Sequence, residues 1–103
     1  MQFDYAHDVD IDEAQARLER LGSYLINRHG IDVQWTGHEC TIEGKYLVVK
    51  IEGKMTLDEK LIHFDGRDPG LLWRGKAIKY LKEKLETYLD LDTPISELPI
   101  QKV

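Results

Sequence analysis

Apolar residues recur at the three–four spacing of an amphipathic α-helix over about residues 11–29. Asp10 stands where an N-cap is expected, and Glu13 follows three residues later as its capping-box partner. Gly30 comes directly after the pattern and suits the left-handed residue that ends many helices. The sequence therefore predicts one long helix with both of its ends marked. Its apolar stripe consists of Ile11, Ala14, Leu18, Leu21 and Leu25.

A second amphipathic stretch runs from about Pro69 to about Asp90. Asp68 is predicted to cap this helix, and Pro69 is predicted to take the first helical position, where its missing N–H is not needed. Gly70 and Gly75 are poor helix formers, so we expect an irregular first turn. The apolar stripe of this helix consists of Ala77, Ile78, Leu81, Leu85, Tyr88 and Leu89.

Outside these helices the apolar residues alternate with polar ones, as in half-buried strands. Polar turns at Thr36–Glu39 and Asp58–Lys60 are short, so the strands they join should pair as an antiparallel meander. The segment Tyr46–Ile51 is apolar at both odd and even positions, which predicts a strand covered on both faces. The predicted strand segments are Gln2–His7, Ile31–Trp35, a segment beginning at Cys40, Tyr46–Leu57 and Leu61–Asp65.

These elements follow the order β-α-β-β-β-β-α, and each helix needs an apolar surface. We predict an α+β fold, with an antiparallel four- to five-stranded sheet and two amphipathic helices on one face. Residues 1–91 are expected to form this single domain, and residues 92–103 a C-terminal tail that packs on the domain or on a partner. The second apolar face of Tyr46–Ile51 needs its own cover. That cover is either a second copy of the chain, in a homodimer through the sheet, or the tail, whose apolar residues are Ile95, Leu98, Ile100 and Val103.

Composition narrows the function classes. The chain has 103 residues, 42% of them hydrophobic and 32% charged, which fits one globular domain. Its net charge of −5 argues against a general nucleic-acid binder, which is normally basic. A single cysteine, Cys40, excludes an internal disulfide and fits a reducing compartment. The sequence carries no signal-peptide pattern and no apolar run of membrane-spanning length, so we expect a cytoplasmic protein.

Positive charge is concentrated at the start of the second helix. Residues 67–84 hold six basic and two acidic residues, a net charge of +4, whereas residues 1–66 carry −6 and residues 85–103 carry −3. A solvated helix face is the simple interpretation. The functional alternative is a site for an anion or an acidic partner, because the free N–H groups at a helix start attract negative charge.

Leu72 and Trp73 lie off the main apolar stripe of this helix. They either close the end of the core or form an exposed patch beside the basic residues. Aromatic and cationic side chains together suit an apolar surface with an anionic rim. The candidate binding residues are therefore Arg67, Gly70, Leu72, Trp73, Arg74 and Lys76.

Known catalytic and metal-binding patterns are weak or missing. Asp8, Asp10 and Asp12 resemble the start of a calcium loop but lack its glycine and its distal glutamate, so we interpret them as helix-capping acids. His38 and Cys40 are too few for structural zinc. Cys40 as a nucleophile would use His38 on the same strand face, but a buried free cysteine is the commoner case. No catalytic residue, metal or cofactor is predicted.

Four features of the chain resemble one family. They are a helix of the form DxDEAxARLERL at Asp10–Leu21, a strand ending in WxG at Trp35–Gly37, the segment Gly53–Leu57, and the final amphipathic helix at about Pro69–Leu89. Together they are similar to the polyhydroxyalkanoic acid system family, also described as the polyhydroxyalkanoate granule region family. The resemblance covers roughly residues 3–90. Three parts depart from the pattern, namely a longer segment Cys40–Gly53, a more elaborate loop Asp65–Trp73 and an extra tail beyond Asp90.

The resemblance implies a bacterial protein connected with storage granules, and it supplies no catalytic residues. The leading hypothesis is a small non-enzymatic interaction protein associated with a granule, a lipid or a related apolar surface. The alternative is a small-molecule or anion-binding domain, or an enzyme, whose site lies between the sheet and the second helix. Its mouth would be lined by Arg67, Arg74, Tyr80 and His63, and it would need a pocket of a few hundred Å³.

Overall fold

Five strands and two helices follow one another in the predicted order β-α-β-β-β-β-α, which confirms the α+β fold. The computed structural model describes residues 1–101, so Val103 of the predicted apolar tail lies outside the described residues. The strands are β1 (Gln2–Ala6), β2 (Asp32–Thr36), β3 (Glu39–Tyr46), β4 (Val49–Leu57) and β5 (Leu61–Gly66). The helices are α1 (Ile11–His29) and α2 (Leu71–Tyr88), and a single 3₁₀ turn spans Ile95–Glu97.

All five strands form one antiparallel sheet in the order β1-β5-β4-β3-β2. Hairpins join β2 to β3, β3 to β4 and β4 to β5. β1 forms the edge of the sheet opposite β2, where it pairs with β5 and places Phe3 opposite Phe64. Both helices cover one face, where alternate strand residues such as Ile42, Met55 and Ile62 join the buried core. The other face is exposed and mostly polar because the residues between them are mainly charged, hydroxylic or amide side chains, with Ala6 and Leu61 as exceptions.

The prediction that Tyr46–Ile51 is one strand was wrong. Tyr46 pairs with Val49, and Leu47 and Val48 form the turn of the β3–β4 hairpin. Leu47 has a φ of 55°, a conformation that hairpin turns usually fill with Asn or Gly. The chain reversal explains why apolar residues occupy both parities. The described strands therefore leave no second apolar face that needs a cover. The homodimer stays a prediction, but the apolar face that motivated it is not present.

The ends of α1 agree with the sequence more closely than those of α2. The Asp10 carboxylate accepts a hydrogen bond from the N–H of Asp12 (3.2 Å), and Gly30 ends the helix with a φ of 68°. The capping-box role of Glu13 was wrong, because its carboxylate pairs with Arg17 at 3.2 Å. This pair is one turn apart on α1, so it competes with the reach back to Asp10.

The predicted start of α2 was wrong by two residues. Gly70 is the N-cap, with a φ of 100°, and Leu71 is the first helical residue. Asp68 does not cap the helix, because its carboxylate accepts from the N–H of Gly70 (2.9 Å) and pairs with Arg74. These contacts hold the pKa of Asp68 below its usual value, with the hydrogen bond from Arg74 as the main cause. Pro69 precedes the cap and belongs to the loop.

Arg17 connects the two helices at the end of the fold where α2 finishes. Its side chain is buried, with 3% of the residue exposed. One guanidinium nitrogen donates to the carbonyl oxygens of Tyr88 (3.3 Å) and Asp90 (3.0 Å). Carbonyls at the end of a helix have no partner within it. Arg17 therefore satisfies groups that would otherwise be buried without a hydrogen bond.

The segment after α2 lies against α1. Arg20 donates to the carbonyl oxygens of Ser96 (3.1 Å) and Leu98 (2.8 Å), and the Leu98 side chain is buried in the core. Asn27 donates to the carbonyl oxygen of Ile100 at 2.6 Å. Polar side chains along one edge of α1 thus hold successive carbonyls of this segment.

Replacing Arg17 with Met should lower the free energy of unfolding by about 2–3 kcal/mol, because the carbonyls at the end of α2 would lose their donor. Urea denaturation followed by circular dichroism measures this change. Arg28→Met is the control, since Arg28 is exposed on the same helix and should shift stability by less than about 0.5 kcal/mol. Equal stability of the two variants would contradict the role assigned to Arg17.

Candidate functional site

The sheet and the helices enclose an apolar cleft of about 460 Å³ at one end of the fold. α1 ends and α2 begins at this end, where the β3–β4 hairpin also turns. The cleft volume falls within the range of about 300–1,000 Å³ that is typical of small-molecule sites. The lining residues from the sheet include Ile42, Ile51 and Phe64, and those from α2 are Trp73, Lys76, Ala77, Tyr80 and Leu81.

Two glycines of the sheet leave room for an aromatic ring at the floor of the cleft. Gly53 and Gly66 face each other across β4 and β5, and the ring of Phe64 lies over both. A Cβ atom at Gly53 would lie 2.8 Å from this ring, and one at Gly66 would lie 2.7 Å from it. Both distances are shorter than carbon atoms tolerate. The ring of Phe3 stacks with that of Phe64, at 5.3 Å between centroids. Phe64 therefore lies flat on the sheet instead of rising into the cleft.

The opposite wall is thin because α2 packs tightly only over its second half. Leu85 and Tyr88 are buried, whereas Ala77 and Leu81 are half-buried along the cleft. The methyl group of Ala77 is the smallest side chain that α2 presents to this space. The side chains in the first half of α2 thus do not reach the flat Phe64 ring on the sheet. The cleft is the space left between them.

A histidine–tyrosine pair forms part of the cleft wall. The Nε2 atom of His29, at the end of α1, lies 3.0 Å from the hydroxyl of Tyr80 on α2. The Tyr46 ring packs edge-on against His29 at 5.3 Å between centroids. Burial, then the positive charges of Arg28 and Lys84, lower the pKa of His29. Burial likewise raises the pKa of Tyr80 to about 12. Both groups are therefore neutral at pH 7, so this wall carries no charge.

Cationic side chains stand at the opening of the cleft. Arg67 and Lys76 both line it and are exposed. The Lys76 ammonium lies 5.6 Å from the centroid of the Trp73 ring. Neither Arg67 nor Lys76 takes part in the ion pairs found among residues 1–101, whereas the nearby Asp68 is paired with Arg74. The two cations therefore remain available to an anion.

Four exposed apolar side chains lie on the two segments that border the opening. We call Leu47, Val48, Leu71 and Leu72 the apolar rim. Their exposed fractions are 67%, 84%, 83% and 86%, the highest among the large hydrophobic residues in the described part of the chain. Leu47 lines the cleft from the hairpin side, and Trp73 lines it directly after Leu72. Two adjacent pairs of exposed apolar residues beside one cleft are typical of a contact surface, since single exposed apolar residues are common but groups are not.

The six candidate binding residues lie at the same end of the fold, but only Arg67, Trp73 and Lys76 line the cleft. The sequence left two alternatives for Leu72 and Trp73, namely closing the end of the core and forming an exposed patch, and the two residues differ in exposure. Leu72 is almost fully exposed on the rim, and Trp73 is half-buried in the cleft wall. Of the remaining two residues, Gly70 is the N-cap of α2 and Arg74 forms an ion pair with Asp68.

The prediction that His63 lines the mouth was wrong, because His63 lies on the polar face of the sheet. Its Nδ1 atom is 2.5 Å from a carboxylate oxygen of Asp4 on the neighbouring strand. Arg74 also lies outside the cleft lining, while Arg67 and Tyr80 contribute to it. Strand parity decides this outcome, since His63 stands between the inward-facing Ile62 and Phe64.

The sequence reading missed His29 and the Leu47–Val48 turn. His29 has no motif around it and comes into the site only because α1 ends where α2 begins. The turn did leave a signal, namely four consecutive apolar residues from Tyr46 to Val49 where alternation breaks. A break of parity inside an apolar run is typical of a hairpin turn as well as of a strand covered on both faces.

The sulfur and carboxylate chemistry considered from the sequence finds little support in the fold. Cys40 is buried, and burial raises its pKa to about 11, so the thiol is protonated at neutral pH. His38 lies in the exposed β2–β3 turn and contacts the side chain of Gln15. Within residues 1–101, no three side chains of the metal-ligating types are grouped as a metal site requires.

Gly53→Ala should destabilise the protein by about 1–3 kcal/mol, because the added methyl group displaces the buried Phe64 ring. Gly75→Ala is the matched change and should stabilise it by roughly 0.5–1 kcal/mol, because a Cβ there meets no atom within 4 Å on the helix. Urea denaturation measures both. Stability changes of the same sign would refute this account of the cleft floor.

The lowered pKa of His29 predicts a specific dependence of stability on pH. The unfolded chain accepts a proton at a higher pH than the folded one, so stability falls as the pH drops below the ordinary histidine value of about 6.5. His29→Gln keeps a hydrogen-bonding group but removes this titration. We expect wild type to lose more unfolding free energy than the variant between about pH 7.5 and 5. Parallel pH profiles in urea denaturation would rule this out.

Neither helix among residues 1–101 combines the length and the apolar character that crossing a membrane requires. Comparison with known families gives one match over most of the chain. Residues 1–92 match the family model of polyhydroxyalkanoic acid system proteins. A search of the curated proteins and a search of the solved structures each found no match. The matched region includes the whole sheet, both helices and the cleft between them.

Proposed function

The chain belongs to the polyhydroxyalkanoic acid system family, and from this membership and the apolar rim we propose that it is a small non-enzymatic protein that binds the apolar surface of polyester storage granules. The single observation that carries the proposal is the high exposure of Leu47, Val48, Leu71 and Leu72, on two segments that border the same cleft. The proposal assigns binding rather than catalysis, because apolar side chains dominate this exposed end. A bacterial, cytoplasmic setting fits this role and remains a prediction.

Burial of the apolar rim would supply enough free energy to bind such a surface. Burying one Leu or Val side chain contributes about 1.5–3 kcal/mol, so four contribute roughly 6–12 kcal/mol before the cost of association. The rim residues come from a hairpin turn and the first turn of a helix, and all four are exposed. Insertion of these tips therefore requires no rearrangement of the core.

Charges beside the rim support the same orientation. Arg67, Arg74 and Lys76 surround the start of α2, where six basic residues give residues 67–84 a net charge of +4. Residues 1–66 and 85–103 are net acidic, so the positive charge is concentrated on α2 and the loop before it. Cationic side chains around an apolar patch are typical of proteins that rest on a surface with anionic groups. The apolar and the electrostatic features thus point the same end of the molecule towards the surface.

Co-sedimentation with polyhydroxyalkanoate particles tests the proposal. The Leu71→Ser/Leu72→Ser variant should pellet at least tenfold less than wild type at limiting particle concentration, because each lost side chain removes more than about 1.4 kcal/mol, which equals a factor of ten. Measurement of bound protein against particle surface area gives the partition coefficient.

The matched control is Leu61→Ser/Leu91→Ser, which changes two exposed leucines far from the cleft end. This variant should partition like wild type. Equal loss in both double variants would indicate non-specific adsorption, and failure of wild type to pellet would refute surface binding.

A further inference from the structure

The cleft is an unfilled apolar space that the protein's own side chains do not close. Protein interiors are packed to the density of organic crystals, with few voids larger than one water molecule. A volume of about 460 Å³ is far beyond that, and apolar cavities much smaller than this bind apolar guests. Leaving the half-buried Ile51 and Leu81 against water in such a space is unfavourable, so a ligand that covers them gains free energy.

The polar groups of the wall do not compete for that ligand. The Nε2 atom of His29 and the hydroxyl of Tyr80 lie 3.0 Å apart. Both groups are neutral at pH 7, because burial lowers the pKa of His29 further below 7 and a tyrosine is uncharged at this pH. The interior therefore offers a continuous apolar lining. Arg67 and Lys76 border the cleft without an ion pair among residues 1–101. Lys50 and Glu52 also border it but pair with each other at 3.6 Å, and the N-terminal ammonium of Met1, another lining residue, donates to the carbonyl oxygen of Gly66 at 2.8 Å. An apolar cleft with a cationic opening is complementary to an aliphatic chain that ends in an anion.

We propose that this cleft binds one medium-chain aliphatic carboxylate. The alkyl chain lies between Phe64 on the floor and Ala77 on the wall, and the carboxylate contacts Arg67 and Lys76 at the opening. This site shares Leu47 with the apolar rim but does not include Val48, Leu71 or Leu72. The inference therefore goes beyond the proposed surface binding and does not rest on it.

The length of the cleft selects the chain length. Trp73 and Leu81 both line it and lie eight residues apart, which is about 12 Å along the axis of α2. An extended chain of single bonds advances about 1.2 Å per bond. A chain of about ten carbons therefore spans the lined stretch, and we take decanoate as the probe.

Isothermal titration calorimetry of the full chain with decanoate, octanoate and hexanoate tests the apolar part. Each methylene removed should weaken binding about fourfold, so octanoate should bind roughly fifteenfold more weakly than decanoate. Decanol tests the carboxylate and should bind about tenfold or more weakly, since it lacks the charge-assisted contact. Affinity that does not change with chain length, or decanol that binds as tightly as decanoate, would overturn the proposal.

Two variants locate the site. Ala77→Trp fills the cleft and should abolish decanoate binding, whereas Thr87→Trp adds the same ring to an exposed position of α2 outside the lining and should leave it unchanged. Arg67→Met/Lys76→Met should weaken decanoate binding about tenfold and leave decanol binding unchanged. Undiminished binding to Ala77→Trp, checked for folding by circular dichroism, would overturn the assignment to the cleft. If Ala77→Trp does not fold, the wild-type chain-length series and the decanol comparison still decide.

The rim variant separates this site from surface binding. Leu71→Ser/Leu72→Ser keeps the cleft lining intact and should bind decanoate with wild-type affinity while losing particle binding. Ala77→Trp keeps the rim and should show the reverse. Loss of decanoate binding in the rim variant would overturn the independence of the two sites.

Discussion

The buried guanidinium of Arg17 is the contact on which the arrangement of the two helices depends. It fixes the end of α2 to α1 through the carbonyl oxygens of Tyr88 and Asp90. The neighbouring Leu85 and Tyr88 then pack into the core. Because α2 is held firmly at this end, its first half does not need to lie on the sheet. An open cleft can therefore exist in a fold this small without loss of the whole helix from the core.

The two ends of the domain consequently differ in chemistry. The end with the N-terminus of α1 and the C-terminus of α2 is filled by side chains such as Leu18, Leu57 and Ile62. The other end combines three features, namely a flat floor of glycine-supported aromatic rings, an exposed apolar rim and an excess of positive charge. Stability is concentrated at the first end and binding potential at the second. Proteins commonly place functional surfaces where packing is least complete.

Much of this architecture could be predicted from the sequence. Periodicity and Gly30 located α1 to the residue, and short polar turns such as Asp58–Lys60 indicated the antiparallel meander. Two kinds of information were missing. The Leu47–Val48 turn contains neither Gly nor Asn, so apolar pattern and turn chemistry disagreed there. The pairing of His29 with Tyr80 depends on how helices stack, which spacing along one chain does not specify. The basic cluster was visible as composition, but the cleft beside it was not.

The pairing of β1 with β5 has a consequence for synthesis. Phe3 lies opposite Phe64, so β1 has no partner until β5, which follows it in the sequence after β2, β3 and β4, has left the ribosome. α1 is local and well capped, and it can form long before that moment with its apolar stripe uncovered. The pairing of distant segments slows folding and prolongs such exposure. Translation speed and chaperone access while the segment from β1 to β5 is made should therefore influence the yield of this protein more than its final stability does.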